Sequence, residues 1–192
     1  FEEMYEQEKE LINTLVISED YKSLEQVIML KEFKNSAKNM ILKNIKEGKI
    51  TQGASTLTQQ LVKNITQDNS KNYNRKIREI YLANKLEKDY SKEEILTYYC
   101  NIISFEGTKN GVNYASKRFF NKDIKHVNLS EAALLAGLVK SPTIYNPIKH
   151  EENAYKRKNL VLKAMLNNKY ISNEEYEIAS KIKVSDMLYK IE

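Results

Sequence analysis

The most concentrated set of polar side chains lies in the stretch QGASTLTQQLVKN, residues 52–64. A hydroxyl on Ser55 or Thr56 is explained if it caps the N-terminus of a helix. A cap leaves the other polar residues unexplained, because threonine is a middling helix former and paired glutamines bring no packing. Backbone N–H groups at a helix start suit an anionic, polyhydroxylated ligand when hydroxyls, amides and a lysine follow them. The stretch therefore indicates a phosphorylated or pyrophosphorylated sugar. The side chains that a helix cap leaves unexplained, and that a binding surface of this kind would explain, are Thr58, Gln59, Gln60 and Lys63.

Two carboxylates stand out from the other acidic residues. Glu19 follows the apolar run LINTLVIS and is succeeded at once by Asp20. Partial desolvation at the end of an apolar segment makes a carboxylate a stronger base, which suits proton transfer. The alternative for this pair is a helix N-terminus, where acidic residues are common.

Glu79 is the second candidate, in the middle of a predicted helix. It lies four residues after Arg75 and three after Lys76, so these side chains share a helix face. An ordinary ion pair with Arg75, worth a few tenths of a kcal/mol, explains the same spacing and is the stronger reading of these residues alone.

Helical patterns must position these groups. In residues 75–88 the apolar side chains recur near the spacing of one buried face. The residues predicted to form that face are Ile77, Ile80, Tyr81 and Leu86. Capping boxes at Ser91–Glu94 and Ser172–Glu175 predict two further helix starts, the first helix ending at about Asn101.

A fourth helix is predicted after Ser130 as its cap, and its sequence EAALLAGLV indicates burial on most sides. Three segments interrupt the helices. We expect a turn or short hairpin over residues 48–56, a loop over 104–113 with Gly107 and Gly111, and an extended run over 141–147. The pattern predicts one all-helical domain.

Composition limits the classes of protein and partner. The 192 residues suit one sizeable core, and 30% of them are charged. A net charge of +5 favours an anionic partner such as a phosphate or an acidic lipid surface, without demanding nucleic acid. The single cysteine, Cys100, excludes an internal disulfide, and His126 and His150 lack metal-ligand spacing. No apolar run is long enough to span a membrane.

Five segments in order resemble the signatures of the family 51 glycosyltransferases, the peptidoglycan polymerases. QGASTLTQQLVKN resembles the second signature, and ISEDYKS (17–23) occupies the place of the first. RKIREIYLANKLEKDYSKEEILTYYCN (75–101) resembles the third. The fourth and fifth are GVNYASKRFFNKDIKHVNLSEAALLAGLVKSPTIYNP (111–147) and AYKRKNLVLKAM (154–165). The resemblance covers roughly residues 12–166.

The resemblance implies a fold and a reaction. The fold is mostly α-helical, with a lysozyme-like larger lobe and a smaller membrane-facing jaw lobe, formed by residues 1–192 as one domain. The reaction is polymerisation of lipid II, an undecaprenyl-pyrophosphoryl disaccharide-pentapeptide, with inversion at the anomeric carbon and release of undecaprenyl pyrophosphate. We expect the bacterial cell membrane, at its extracytoplasmic face, as the location. A membrane helix is expected before residue 1, and no transpeptidase domain within the chain.

The same resemblance implies roles for named residues. Glu19 is the general base that deprotonates the acceptor 4-hydroxyl, and Glu79 helps to position the reacting groups. Lys63, Arg75 and Lys76 occupy the family positions for the pyrophosphate charge, and Ser55, Thr56, Gln59 and Gln60 contact substrate. Lys140 and Arg157 match basic positions of the fourth and fifth signatures. The resemblance implies no definite cofactor and leaves open a divalent cation (Mg or Mn) near the pyrophosphate. Lipid II, the glycan strand, the membrane surface and other cell-wall synthesis proteins are the expected partners.

The first signature departs from the family pattern after Asp20. Ser23, Gln26 and Ile28 stand where the family has phenylalanine, histidine and glycine. Gln26 cannot carry a positive charge as a histidine could. A degenerate lipid II-binding module with weak or no polymerase activity is therefore the alternative. A lysozyme-like, glycan-cleaving enzyme is a third hypothesis, which leaves the basic residues without a use.

Overall fold

The computed structural model describes residues 56–67, 73–107 and 109–189. Within these ranges the chain is helical apart from two short strands and the connecting turns. The prediction of a mostly α fold is confirmed. Glu19, Ser55, the altered residues of the first signature and the predicted turn before Thr56 lie outside the described residues.

The described residues divide between two compact units, with the boundary between residues 102 and 103. The described part of unit 1 consists of α1 (Leu57–Thr66), α2 (Tyr73–Asp89) and α3 (Lys92–Ile102). Unit 2 contains the strands β1 (Ser104–Glu106) and β2 (Lys109–Asn110), a 3-10 turn (Ile124–His126), and the helices α4 (Val112–Phe120), α5 (Leu129–Leu138), α6 (Glu151–Asn167), α7 (Asn173–Lys181) and α8 (Val184–Met187).

Helix α1 begins at a threonine cap, one of the two residues predicted for that role. Thr56 has an extended backbone, and its Oγ1 accepts a hydrogen bond from Gln59 N at 3.2 Å. This bond satisfies one of the N–H groups that every helix start leaves without a partner. The helix ends at Gln67, whose left-handed φ of 51° lets its N–H reach Lys63 O at 3.0 Å. Because α1 packs against both α2 and α3, its polar residues are held on a fixed frame.

Helix α2 confirms the predicted helix but not the predicted buried face. Ile77 is 59% exposed and Ile80 43% exposed. Of the predicted face, only Leu86 is buried. It belongs to a stripe at the i, i+3, i+4, i+7 spacing that consists of Glu79, Leu82, Ala83 and Leu86. The positions of the apolar residues alone predicted the wrong helix face, because the buried face begins with the carboxylate of Glu79.

Helix α3 starts at the predicted capping box. Ser91 N donates to Glu94 Oε2 at 2.7 Å, and Glu94 N donates to Ser91 Oγ at 3.2 Å. The reciprocal pair satisfies two N–H groups of the helix start. The residues of α3 from Ile95 to Cys100 are buried.

The segment predicted as a loop over residues 104–113 is more ordered than expected. β1 and β2 pair antiparallel, with Ser104 opposite Asn110 and Glu106 opposite Lys109. Gly107, with φ of 59°, supplies the left-handed backbone position at the turn. Gly111, with φ of 90°, precedes the first residue of α4. The sequence analysis identified the two glycines but did not predict the hairpin that β1 and β2 form.

Helix α5 lies at the centre of unit 2 and packs mainly against α6. Its predicted burial is confirmed, since all but two of its residues are buried. The predicted Ser130 cap is wrong: Asn128 is the N-cap, and it forms a capping box with Glu131. Ser130 lies inside the first turn, where its Oγ donates to Ala179 O of α7 at 3.0 Å.

The extended run predicted over residues 141–147 is also wrong, because the chain there forms successive turns. Tyr145 N donates to Ser141 O at 3.0 Å. Asn146 Oδ1 accepts from the N–H groups of Ile148 and Lys149 at 3.0 and 3.1 Å. An asparagine side chain that accepts hydrogen bonds from the backbone just after it stabilises a turn. The prediction of an extended run relied on the two prolines and did not consider this effect.

Candidate active site

Glu79 anchors two cationic side chains of α2 in unit 1. Its side chain is only 5% exposed, and its Oε1 accepts a hydrogen bond from Arg75 Nη1. Its Oε2 accepts from Lys76 Nζ at 3.0 Å. The predicted ion pair is present, and Lys76 extends it to a triad. One buried carboxylate therefore fixes a guanidinium and an ammonium side by side, each still partly exposed.

Lys76 connects this triad to α1. Its Nζ also donates to Gln59 Oε1, at 3.0 Å. Gln59 belongs to the second signature and Lys76 to the third, and 17 positions separate them in the sequence. Their hydrogen bond brings the two signatures together in one polar cluster of unit 1. We call Gln59, Arg75, Lys76 and Glu79 the charge cluster.

Two further predicted contact residues are close in sequence to Gln59: Lys63 on α1, and Thr56 directly before α1. Lys63 is exposed and comes four residues after Gln59, so both side chains occupy one face of the helix. Thr56 is exposed and serves as the helix cap. Thr58, by contrast, is buried, and its Oγ1 donates to Glu87 Oε1 of α2 at 2.6 Å. Thr58 therefore joins α1 to α2, and the prediction that it belongs to a binding surface is wrong.

Gln60 has a partner that the sequence did not suggest. The hydroxyl of Tyr99, on α3, donates to Gln60 Oε1 at 3.1 Å. Burial raises the pKa of the Tyr99 hydroxyl well above its usual value, so the group stays protonated. A buried tyrosine usually finds a hydrogen-bond partner, which is the signal that could have linked α3 to the polar stretch.

Two of the predicted basic residues belong to unit 2. Arg157 Nε, on α6, donates to Gly137 O of α5 at 3.3 Å, and its guanidinium lies over the Tyr145 ring at 5.9 Å. A Cβ at position 137 would lie 3.0 Å from Arg157 Cγ, so a larger residue there would crowd the Arg157 side chain. Lys140 is exposed near the end of α5.

The described side chains around Glu79 bear on the predicted divalent cation. Magnesium and manganese require several oxygen ligands. Both carboxylate oxygens of Glu79 already face cationic groups. Across the described ranges, no group of three or more potential metal-ligating side chains occurs. A cation held by the substrate pyrophosphate stays a prediction, and no step is derived through it.

Among the described residues, no helix is both long enough and apolar enough to cross a membrane.

The model of the transglycosylase family matches residues 3–166, which is most of the chain. The chain belongs to the transglycosylase family. Its membership confirms the predicted enzyme class, a peptidoglycan glycosyltransferase, and gives no support to a degenerate binding module.

The chain is also similar to proteins named as penicillin-binding proteins. Penicillin-binding protein 1A/1B of Bacillus subtilis is 41% identical over 147 residues, 76% of this chain and 16% of that protein. Penicillin-binding protein 1A of Aquifex aeolicus is 45% identical over 136 residues, 71% of this chain and 19% of that protein. The crystal structure of penicillin-binding protein 1A from Haemophilus influenzae matches with a TM-score of 0.46 and 30% identity, over 67% of this chain and 16% of that one. This transglycosylase chain therefore spans less than a fifth of the length of these relatives.

Proposed function

We propose that this transglycosylase polymerises lipid II into glycan strands and releases undecaprenyl pyrophosphate. The observation that carries the proposal is the charge cluster, in which a buried glutamate holds Arg75 and Lys76 together. Such a cluster suits a substrate whose leaving group is a pyrophosphate, because negative charge develops on that group as the glycosidic bond breaks. A glycan-cleaving enzyme has no anionic leaving group of this kind.

The cationic side chains would act by being fixed before the reaction begins. Arg75 can present two parallel N–H donors to phosphate oxygens, and Lys76 supplies a compact positive charge. Lys63, on the exposed face of α1, would add a third cation. Because Glu79 and Gln59 hold Lys76 in place, little reorganisation is needed as charge develops. Glu79 thus orients the cations and need not exchange a proton.

The general base in this proposal is Glu19, by resemblance to the first family signature. Its carboxylate would accept the proton of the acceptor sugar 4-hydroxyl as that oxygen attacks the donor anomeric carbon. Ser55, Thr56, Gln59 and Gln60 would contact the sugar and pyrophosphate. Lys140 and Arg157 match further basic positions of the fourth and fifth signatures and are proposed to bind the substrate as well. The membrane surface at the extracytoplasmic face is the place where a lipid-linked donor meets the enzyme, and other cell-wall synthesis proteins are proposed partners there.

Release of undecaprenyl pyrophosphate from labelled lipid II tests the proposal, with Lys63→Met compared with Lys88→Met. Both lysines are exposed helix residues of unit 1, but the family resemblance gives a role at the pyrophosphate to Lys63 and not to Lys88. We expect the parent and Lys88→Met to release product at equal rates. Lys63→Met should lose about tenfold to a hundredfold, the range for removing one charge-stabilising group. Equal rates in both variants, or cleavage of preformed glycan by the parent, would overturn the proposal.

A further inference from the structure

The side chain of Gln60 is held by a hydrogen bond from a buried residue of another helix. Tyr99 is 1% exposed and lies on α3, 39 residues further along the chain. Its hydroxyl donates to Gln60 Oε1 at 3.1 Å. Both helices belong to unit 1 and pack against each other. The bond therefore joins the interior of the unit to a side chain of the polar stretch.

The direction of this bond decides what Gln60 can offer a ligand. A glutamine amide has one acceptor oxygen and two N–H donors. Tyr99 occupies the oxygen, and no residue in the described ranges accepts a hydrogen bond from Gln60 Nε2. The amide thus presents donors, which suit phosphate, hydroxyl or carbonyl oxygens of a substrate.

The hydroxyl of Tyr99 is suited to keep this direction. Burial raises its pKa well above the usual value, so it remains a protonated donor in the range where enzymes work. Gln60 itself is a flexible side chain of α1 that loses rotational freedom when it is fixed. A rigid donor in the core fixes the Gln60 side chain before the substrate binds, so substrate binding does not have to supply this entropy cost.

From these contacts we infer that Tyr99 is a positioning residue of the glycosyltransferase reaction, and that it acts through Gln60. It orients the Gln60 amide so that both N–H donors face the pyrophosphate-linked sugar. The inference rests on the proposed function for the identity of that ligand. The orientation itself rests on the α1–α3 contact alone.

A double-mutant cycle in kcat/KM with lipid II tests the inference. Tyr99→Phe keeps the ring and removes the hydroxyl, and we expect a loss of about three- to tenfold, the usual range for one hydrogen bond. In a Gln60→Ala chain the same change should alter kcat/KM less than about twofold, because the residue on which Tyr99 acts is gone. An equal loss in both backgrounds would show a merely structural role and overturn the inference. No loss in the parent background would overturn it as well.

Tyr98→Phe is the matched control. Tyr98 is the neighbouring buried tyrosine of α3, and its ring meets Tyr90 edge to face at 5.5 Å. Removing its hydroxyl takes a buried polar group from the same helix without touching Gln60. We expect parent-like kcat/KM for this variant. A loss equal to that of Tyr99→Phe would assign the effect to α3 in general and overturn the inference.

A second readout does not depend on turnover. The chain has six glutamines, so the side-chain amide signal of Gln60 can be assigned by its disappearance in Gln60→Ala. We expect this signal to move towards the position of a free glutamine amide in Tyr99→Phe and to stay in place in Tyr98→Phe. An unmoved signal in Tyr99→Phe overturns the inference. If the signal moves but the parent makes no polymer, the proposed function fails and the Tyr99–Gln60 contact stands.

Discussion

Glu79 combines two properties that rarely occur together in a surface ion pair. Its carboxylate is almost fully buried, while its partners Arg75 and Lys76 keep part of their surface in solvent. An exposed pair of this spacing would contribute little to stability. Removing one member of a buried set leaves charge without a partner, which is costly. The arrangement is therefore better understood as a device that fixes two cations than as a stabilising contact.

Glu79→Gln should reduce polymerisation of lipid II by about tenfold or more, since the two cations lose the charge that orients them. The measurement is the initial rate of polymer formation by chains shown to be folded. Glu87→Gln is the control: this residue lies on the same helix and accepts a hydrogen bond from Thr58, but it contacts neither cation. A folded Glu79→Gln protein with the parent rate would contradict the role given to the carboxylate.

Lys158 is a buried charged residue of unit 2. Its Nζ donates to Ser130 Oγ at 3.2 Å and to carbonyl oxygens at the end of α7, including Ala179 O at 3.0 Å and Ile182 O at 2.5 Å. Cations are favoured at helix C-termini. Burial nevertheless lowers the pKa of Lys158 to about 8, because desolvation disfavours the charged form.

The stability of the fold should therefore depend on pH through Lys158. Between about pH 8 and the ordinary lysine value of 10.5, the unfolded chain binds a proton that the folded chain has released. The free energy of unfolding must then rise with pH across that window. We expect the difference between parent and Lys158→Met, measured by urea unfolding at pH 7 to 10, to shift in favour of the parent above pH 8. A difference that is constant over this range would refute the assignment.

At the scale of elements, helix caps fix where the functional segments begin. Asn128 caps α5, the helix that precedes Lys140, and Glu131 completes the capping box from a buried position. Glu131 also accepts from Lys122 Nζ at 2.6 Å. The α5 start is thus joined to the segment that follows α4.

Asn128→Ala should lower the free energy of unfolding by about 1 kcal/mol, the usual effect of losing a side-chain cap. Asn128→Ser should restore most of it, because serine caps nearly as well. The measurement is chemical denaturation of the three proteins. If Asn128→Ala is as stable as the parent, the cap does not lie at this residue.

The elements also show what sequence reasoning can and cannot reach. The capping boxes at Ser91 and Ser172 were predicted because both partners are close in sequence, and both are present. The buried face of α2 was missed because a charged residue, Glu79, begins it. The Tyr99–Gln60 contact was missed because 39 residues separate the partners, and only packing of α1 on α3 brings them together.

At the scale of the whole molecule, the predicted site residues are distributed over both units. The family match over residues 3–166 includes the charge cluster of unit 1 and the basic residues Lys140 and Arg157 of unit 2. The family, the mostly helical fold and the enzyme class followed from five ordered signatures. The roles of individual residues did not, because a motif gives residue types and order but not the atoms they contact. Those roles stay predictions that kinetics must decide.

The most direct test incubates the parent and Glu19→Gln with labelled lipid II in detergent and resolves the products by size. The account predicts glycan polymer from the parent and a loss of at least about a hundredfold in Glu19→Gln, as expected for removal of a general base. A parent that binds lipid II but makes no chains would contradict the account, and the altered residues after Asp20 would then have cost the activity. Full polymer formation by Glu19→Gln would leave polymerisation intact and place the base elsewhere.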